Sequence, residues 1–389
     1  MNKRIFILAA HDLVKYPPMQ SLLSVLSELK VETHFIGLNS DQDAQTRFEK
    51  RGVKFISYNG IRTNSMIKTF FIRKKYKKQV EAYLSANNVT KEDLIIYEYG
   101  DSAYYMHSVL ANYRYVVLFY EFVNTNLSWK LDIQFPSYNM KRFLQGAAAV
   151  THCEYNRAQI CQWYYGLNKT PYILPNKPYG NELENQESDI PIEIDKLIKK
   201  LKNQLSGKKI ILYQGIFNSS ERRLEEFCQA ISLLPDEYVL IAMGGGQGYY
   251  EELKTRYESD RILFLPFIKP PFHLLVTKMA HIGVLSYFPL NSTWAGVLNP
   301  IYCAPNKVFE YGKYGIPMLS NDIPGLSYIY NLYKCGRAVT SPITPEKIVV
   351  AIKSIESNYN TLSEGSLNYY NSIDFKRLAC QMLNDLEII

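Results

Sequence analysis

The chain has 389 residues, enough for two or three domains, and its 47% hydrophobic share is ample for their buried cores. The formal net charge is +7, modest in size but unevenly distributed, and the six cysteines (Cys153, Cys161, Cys228, Cys303, Cys335, Cys380) are widely scattered, with no CxxC pair and no histidine clustering. This argues against a disulfide framework and a zinc site, and predicts a reducing, cytoplasmic setting. No apolar run reaches the ~18 residues of a transmembrane helix.

Taken in chain order, residues 5–10 read as a buried strand. Their apolar run before His11 and Asp12 is too short for a signal-peptide core, so a strand rather than a leader is expected. Residues 18–29 read as a helix and 31–37 as the next strand, which opens a β-α-β unit. Further strands are predicted at 54–58, 94–98, 115–120, 147–151 and 172–174, with helical patterns between them. Pro175-Asn176-Lys177-Pro178 and the acidic, polar stretch 180–189 have the composition of an interdomain linker.

A second series follows: strand 210–214, helix 222–233, strand 238–242, helix 250–259, strand 262–264, helix 271–279, strand 282–285, helix 306–314 and strand 318–320. Alternating strands and helices imply parallel sheets covered on both faces. The predicted fold class is therefore α/β, with two Rossmann-like doubly wound domains. The first spans 1–176 and the second 177–365, and the closing helix, about 366–389, is expected to pack back on the first. Open sheets of this kind bind ligands beyond the carboxyl ends of their strands, so two facing halves would place a site in the cleft between them.

The most informative stretch is Pro305-Asn306-Lys307-Val308-Phe309-Glu310-Tyr311-Gly312-Lys313-Tyr314-Gly315-Ile316-Pro317. Pro305 suits the first helical position, Gly315 a C-cap, and Lys307 and Glu310 stand three apart on one face. Such a helix turns its positive N-terminal end and one lysine toward a phosphate while the carboxylate accepts bonds from sugar hydroxyls. Three earlier features point the same way. Gly215 ends a strand where a bare backbone can approach an anion closely. Arg222 and Arg223 are expected to open the next helix, and either could neutralise a diphosphate. Gly244-Gly245-Gly246 ends the following strand and supplies a second close-approach loop.

This order of residues resembles the GT-B glycosyltransferases, and specifically the large retaining family 4. The resemblance is carried by Tyr213-Gln214-Gly215, Arg222-Arg223-Leu224-Glu225-Glu226, the run from Leu240 to Gly246, and Arg261-Ile262-Leu263-Phe264-Leu265-Pro266-Phe267. Ala280-His281-Ile282-Gly283-Val284, Pro305 to Tyr311, and Gly315-Ile316-Pro317 complete it, so that it covers most of residues 208–340. In the first half, His152-Cys153-Glu154-Tyr155-Asn156-Arg157-Ala158 and Pro175 to Pro178 look like segments leading to the family's linker.

The resemblance implies transfer of a sugar from a nucleoside-diphosphate donor with retention of configuration, no cofactor and no obligatory metal. By position, Glu310 would hold the ribose hydroxyls. Lys307 with Arg222 or Arg223 would balance the diphosphate, and Asn306 opens that helix. Gly215, Gly244 and Gly245 would let the backbone reach it, and Phe267 and Ile268 would flank the base. The family often places a glutamate eight positions before Glu310, where this chain has Tyr302, so contacts to the donor sugar are expected to shift to the loop 299–305. A Gly-rich first loop is replaced by Ala10-His11-Asp12.

In a retaining transfer the departing diphosphate can itself receive the acceptor's proton, so the protein mainly positions reactants and stabilises charge. A side-chain base is optional; His11, Asp12, Glu98, Asp101 and Glu121 are predicted at strand ends of the first domain, and His152 is a structural or acceptor-contacting candidate. Residues 67–78 place six basic residues among bulky apolar ones, a composition suited to an anionic membrane face. No recognised nucleic-acid module accompanies them. The acceptor is therefore expected to be a glycan or lipid-linked molecule of cell-surface polysaccharide synthesis. Two other readings share the fold: a nucleotide-sugar 2-epimerase, which needs several acids and bases, and a non-catalytic glycan- or nucleotide-binding subunit. A nicotinamide oxidoreductase is disfavoured, because no GxGxxG follows the first strand.

Overall fold

The fold is described from a computed structural model covering residues 3–13, 16–38, 42–58, 65–123, 129–180, 190–246 and 248–389; the side chains of 10, 11, 66 and 129–131 lie outside the description. The chain divides into two compact units, Met1–Gly180 with Asp374–Ile389, and Asn181–Ile373. No helix among the described residues is long and apolar enough to cross a membrane.

The first unit runs β1 (Ile5–Asp12), α1 (Pro17–Glu28), β2 (Thr33–Leu38), α2 (Gln42–Lys50), β3 (Val53–Ile56), α3 (Met66–Ala86), β4 (Leu94–Glu98), α4 (Ala103–Leu110), β5 (Tyr115–Leu118), α5 (Trp129–Gln134), α6 (Met140–Gln145), β6 (Ala149–His152), α7 (Tyr155–Tyr165) and β7 (Tyr172–Ile173). Its strands pair in parallel in the order β3-β2-β1-β4-β5-β6-β7. Continuous apolar text such as Ile5-Phe6-Ile7-Leu8 forms these strands because helices cover both faces and no side is left for water.

The second unit contains α8 (Ile192–Gln204), β8 (Lys209–Ile216), α9 (Glu225–Ile231), β9 (Tyr238–Gly245), α10 (Tyr249–Tyr257), β10 (Ile262–Pro266), α11 (Leu274–Thr277), β11 (Ile282–Leu285) and α12 (Trp294–Ile301). It continues through α13 (Asn306–Lys313), β12 (Met318–Asn321), α14 (Pro324–Tyr333), β13 (Gly336–Val339), α15 (Pro345–Glu356) and α16 (Tyr359–Ser372). The sheet is again fully parallel, in the order β10-β9-β8-β11-β12-β13.

Alternation along β8 sends Ile211 and Tyr213 into one core layer with α9 and α15, and Ile210 and Leu212 into the other with α8, α13 and α14. Each such side chain contributes about 1.5–3 kcal/mol by leaving water. The connections leave β8 toward β9 on one side and β11 toward β12 on the other, so the β8/β11 boundary is the switch point at which a doubly wound sheet opens a crevice.

The last helix, α17 (Phe375–Asp385), belongs to the first unit. Asp374 caps it by accepting from the Arg377 N–H at 2.9 Å, and Phe375, Ala379, Met382 and Leu383, spaced as one helical face, enter the core that α1 and β1 also supply. Lys376 pairs with Glu28 at 2.8 Å and Asp385 accepts from the Tyr172 hydroxyl at 2.9 Å.

Three expected elements differ. The helix expected from 222 starts only at Glu225, because the Asn218 side chain accepts from the Ser220 and Glu221 N–H groups and turns the chain into a loop through Arg222 and Arg223. The helix expected over 271–279 shrinks to α11, preceded by turns through Pro270 and Pro271. Residues 299–301, expected in a loop, end α12, whose start is fixed by the Thr293 hydroxyl accepting from the Gly296 N–H at 3.1 Å.

Candidate functional site

The site in the second unit is organised by one tyrosine. On α13, Val308, Phe309 and Tyr311 are buried, and the Tyr311 hydroxyl donates to the Leu212 carbonyl of β8 at 3.0 Å, with the Val284 carbonyl of β11 at 3.4 Å. Its ring lies against Gly283, where a Cβ would fall 2.4 Å from a ring carbon. Tyr311 thereby pins α13 over the switch point. Lys307, one turn earlier, and Glu310 then stand at the carboxyl end of β8. Pro305 is the N-cap of α13 rather than its first helical residue, with φ −75° and ψ 149°, so Asn306 opens the helix; Tyr314 is the C-cap and Gly315, at φ +63°, takes the left-handed position beyond it.

The Lys307 Nζ sits 4.6 Å from the Tyr213 ring centroid and 5.4 Å from that of Tyr287. The same Tyr287 ring carries the Arg222 guanidinium at 3.9 Å, while Arg223 stacks on Phe288 at 3.9 Å. These arginines are held by one backbone and one side-chain hydrogen bond between two loops: the Phe288 N–H donates to the Glu221 carbonyl at 2.9 Å, and the Ser286 hydroxyl donates to the Arg223 carbonyl at 2.6 Å. Asn321 fixes Tyr287 from behind, accepting from its N–H at 2.9 Å and donating to its carbonyl. Burial, and next the charge of Arg222, push the Lys307 ammonium down to about 7, with Glu310 opposing.

Glu310 is the second focus. Its Oε1 accepts from His273 Nε2 at 3.1 Å and its Oε2 from Gln214 Nε2 at 2.5 Å. Burial alone would raise its pKa; His273, Lys307 and Gln214 outweigh that and hold the carboxyl below its ordinary range. Gln214 is itself oriented by the Thr277 hydroxyl, which donates to its Oε1 at 2.7 Å. His273 and Thr277 carry no motif and contact Glu310 and Gln214 across tens of residues, so sequence reading missed both.

The glycines divide by what their missing side chains make room for. A Cβ on Gly215, at φ +136°, would meet the Lys307 Nζ at 2.8 Å, so this glycine admits the ammonium. On Gly244, at φ +147°, it would fall 1.8 Å from the Gly215 carbonyl oxygen: β8 and β9 approach each other there. A Cβ on Gly246 would fall 2.2 Å from the Phe217 carbonyl oxygen, whereas one on Gly245 would meet nothing within 4 Å among the described residues. Phe267 is exposed and Ile268 is buried in the core.

In the first unit, Asp12 ends β1 and Glu98 ends β4, with Asp101 and Glu121 just beyond strands β4 and β5; the His11 side chain lies outside the described residues. His152, at the end of β6, is buried against Phe119, its Nδ1 accepts from the Cys153 N–H at 3.1 Å, and its pKa is held well below the ordinary value by burial and by Arg157. Among the described residues no group of three or more His, Cys, Asp or Glu side chains is placed to hold a metal ion.

No protein-family model and no curated protein sequence matches this chain. Solved structures do. HepE of Anabaena in complex with UDP and glucose superposes with a TM-score of 0.66 at 14% identity, covering 100% of both chains. A glycosyltransferase from Rickettsia africae gives 0.65 at 12%, covering 99% of this chain and 98% of that one. The sucrose-phosphate synthase of Thermosynechococcus elongatus gives 0.65 at 14%, covering 100% and 98%. At these identities the likeness establishes the fold. The chain has the two Rossmann-like, doubly wound domains of the GT-B architecture.

Proposed function

We propose that this chain is a retaining glycosyltransferase that moves a sugar from a nucleoside-diphosphate sugar to a glycan or lipid-linked acceptor in cell-surface polysaccharide synthesis. The observation that carries the reading is the pairing of two cations, Lys307 and Arg222, over one aromatic ring, with a buried carboxylate, Glu310, one turn along the same helix. A diphosphate satisfies the first and ribose hydroxyls the second. The HepE structures that contain UDP, UDP with glucose, and UDP-glucose belong to neighbours of the same fold, and that likeness supports a nucleotide-sugar donor.

In this reading Lys307 and Arg222 neutralise the departing diphosphate, and Arg223 orders the loop beside them. Gly245 leaves the backbone open to a phosphate, and Phe267 stacks beside the base. The acceptor oxygen bonds to the anomeric carbon as the bond from that carbon to the phosphate oxygen breaks, and the acceptor's proton passes to that oxygen. No obligatory metal or cofactor enters this scheme. His11 and Asp12 are assigned to the acceptor side.

In this reading the protein works in the cytoplasm, on the inner membrane face. There Ile67, Lys68, Phe71, Lys74, Lys75 and Lys78, which share the exposed face of α3, meet anionic lipid. The epimerase alternative is not favoured, because Glu310 and His273 already bond to each other and leave few free acid–base groups at this site.

The test is incubation with a panel of nucleoside-diphosphate sugars, following release of the nucleoside diphosphate. Glu310→Ala and Lys307→Ala proteins that stay folded are expected to lose turnover by two orders of magnitude or more, as removal of a charge-stabilising donor does (about 10²–10³). Full turnover in both would overturn the assignment.

A further inference from the structure

A carboxylate that binds ribose must present a free lone pair on each oxygen, and its direction has to be set before the ligand arrives. Glu310 meets both requirements in an unusual way. Each oxygen accepts one protein hydrogen bond, Oε1 from the His273 imidazole at 3.1 Å and Oε2 from the Gln214 amide at 2.5 Å. An ionised carboxylate has about four acceptor positions, so one remains on either oxygen.

The orientation of the amide is not free. Thr277, fully buried, donates to Gln214 Oε1 at 2.7 Å, which turns the Gln214 NH₂ toward the carboxylate; a flipped amide would set oxygen against oxygen. The orientation of the imidazole is set as well, because the nitrogen facing a carboxylate must carry its hydrogen. Its other nitrogen, Nδ1, is buried with no partner among the described residues, so none of them competes for the ring on that side.

His273 and Thr277 bracket the short helix α11, and Gln214 lies near the end of β8, so the carboxylate of α13 is gripped from two separate elements. Two lone pairs held by a rigid carboxylate can accept from two vicinal hydroxyls at once.

We propose that His273 and Gln214 are positioning residues that aim both oxygens of Glu310 at the 2′- and 3′-hydroxyls of a ribose, and so make the site selective for ribonucleotides over deoxyribonucleotides. The proposal rests on the reading of Glu310 as the ribose-binding carboxylate. The experiment separates the two.

Calorimetric titration with the diphosphates of uridine, adenosine, guanosine and cytidine identifies the best ligand, and its 2′,3′-dideoxy analogue gives a ribo-over-dideoxy affinity ratio. In the wild-type protein this ratio is expected to be about 100 or more, as two hydrogen bonds to a charged group supply. His273→Ala and Gln214→Ala are expected to lower the ratio about ten-fold by weakening the ribonucleotide alone. His273→Gln, whose amide nitrogen can stand where Nε2 stands, is expected to keep it within about three-fold, whereas a purely structural defect would lower both ligands together and would not be rescued. An unchanged ratio in His273→Ala would overturn the positioning role while leaving the ribose assignment intact. A wild-type ratio near one, or no binding of any nucleoside diphosphate, would overturn both.

Discussion

Lys307→Met tests the electrostatic design of the site most directly. In the folded protein the ammonium is pushed to about 7 by burial and by Arg222, against 10.5 for an ordinary lysine. Below pH 7 the folded chain must hold a proton it binds weakly, whereas the unfolded chain holds it readily, so the wild type carries a penalty. Each tenfold weakening of proton binding costs about 1.4 kcal/mol, so the penalty is at most about 5 kcal/mol. It fades as pH rises from 7 toward 10.5, because over that window the unfolded state binds more protons and stability climbs with pH. Methionine fills a similar volume without a charge, so the variant is expected to be the more stable protein at pH 6 and the two should converge near pH 10.

Calorimetric unfolding of both proteins at pH 6, 7, 8, 9 and 10 measures the difference. A bound diphosphate has the opposite effect on the lysine, favouring its charged form. Wild-type affinity is therefore expected to fall about ten-fold per pH unit above 7, and affinity in the variant to be weak and flat. A Lys307→Met protein that is less stable at pH 6, or a stability difference independent of pH, would refute the reasoning.

Arg222→Ala is expected to reduce the preference for a nucleoside diphosphate over the monophosphate by about 10–100-fold, the worth of a charge-assisted hydrogen bond, in competitive binding. Arg223→Ala, which loses only a guanidinium stacked on Phe288, should change that preference little. Gly283→Ala drives a Cβ to 2.4 Å from the Tyr311 ring, so a loss of about 1–3 kcal/mol in unfolding free energy and weaker nucleotide binding are expected together; normal binding would show that α13 is not pinned by that ring. Reversing Lys68, Lys74, Lys75 and Lys78 to glutamate should abolish sedimentation with phosphatidylglycerol vesicles, since each exposed lysine is worth about 1 kcal/mol at such a surface. Unchanged sedimentation would remove α3 from the membrane reading.

The sequence made the frame readable because its signals are local. Ile282–Leu285 and Leu94–Glu98 are short, mostly apolar runs, and both are strands with those bounds. Lys307 and Glu310 share a helix, so their spacing alone put them together. The rest of the site is assembled by contacts that spacing does not encode. Arg222 and Arg223 looked like the opening of a helix, yet the side chain of Asn218 closes a turn first, and the rings that receive both guanidinium groups come from Tyr287 and Phe288 on another loop. Gly244 was legible as a place of close approach, but what approaches it is the Gly215 carbonyl. α12 was hidden by Gly296 and Pro300, which interrupt helical text; the Thr293 cap is the local signal that could have revealed its start.

The two halves of the site also depend on each other through charge. Lys307 and Arg222 are like charges sharing the Tyr287 ring, and their repulsion is, after burial, one cause of the lowered lysine pKa. Glu310 opposes that lowering, but His273 and Gln214 already claim part of its acceptor capacity. The Glu221 carboxylate, 3.9 Å from the Arg222 guanidinium, offsets part of the same positive charge. A dianionic diphosphate offsets more of it, which a neutral sugar or a nucleoside cannot. Affinity in such a site should increase steeply from nucleoside to mono- to diphosphate, and far less steeply once Lys307 is methionine, because the repulsion that the ligand relieves would already be gone.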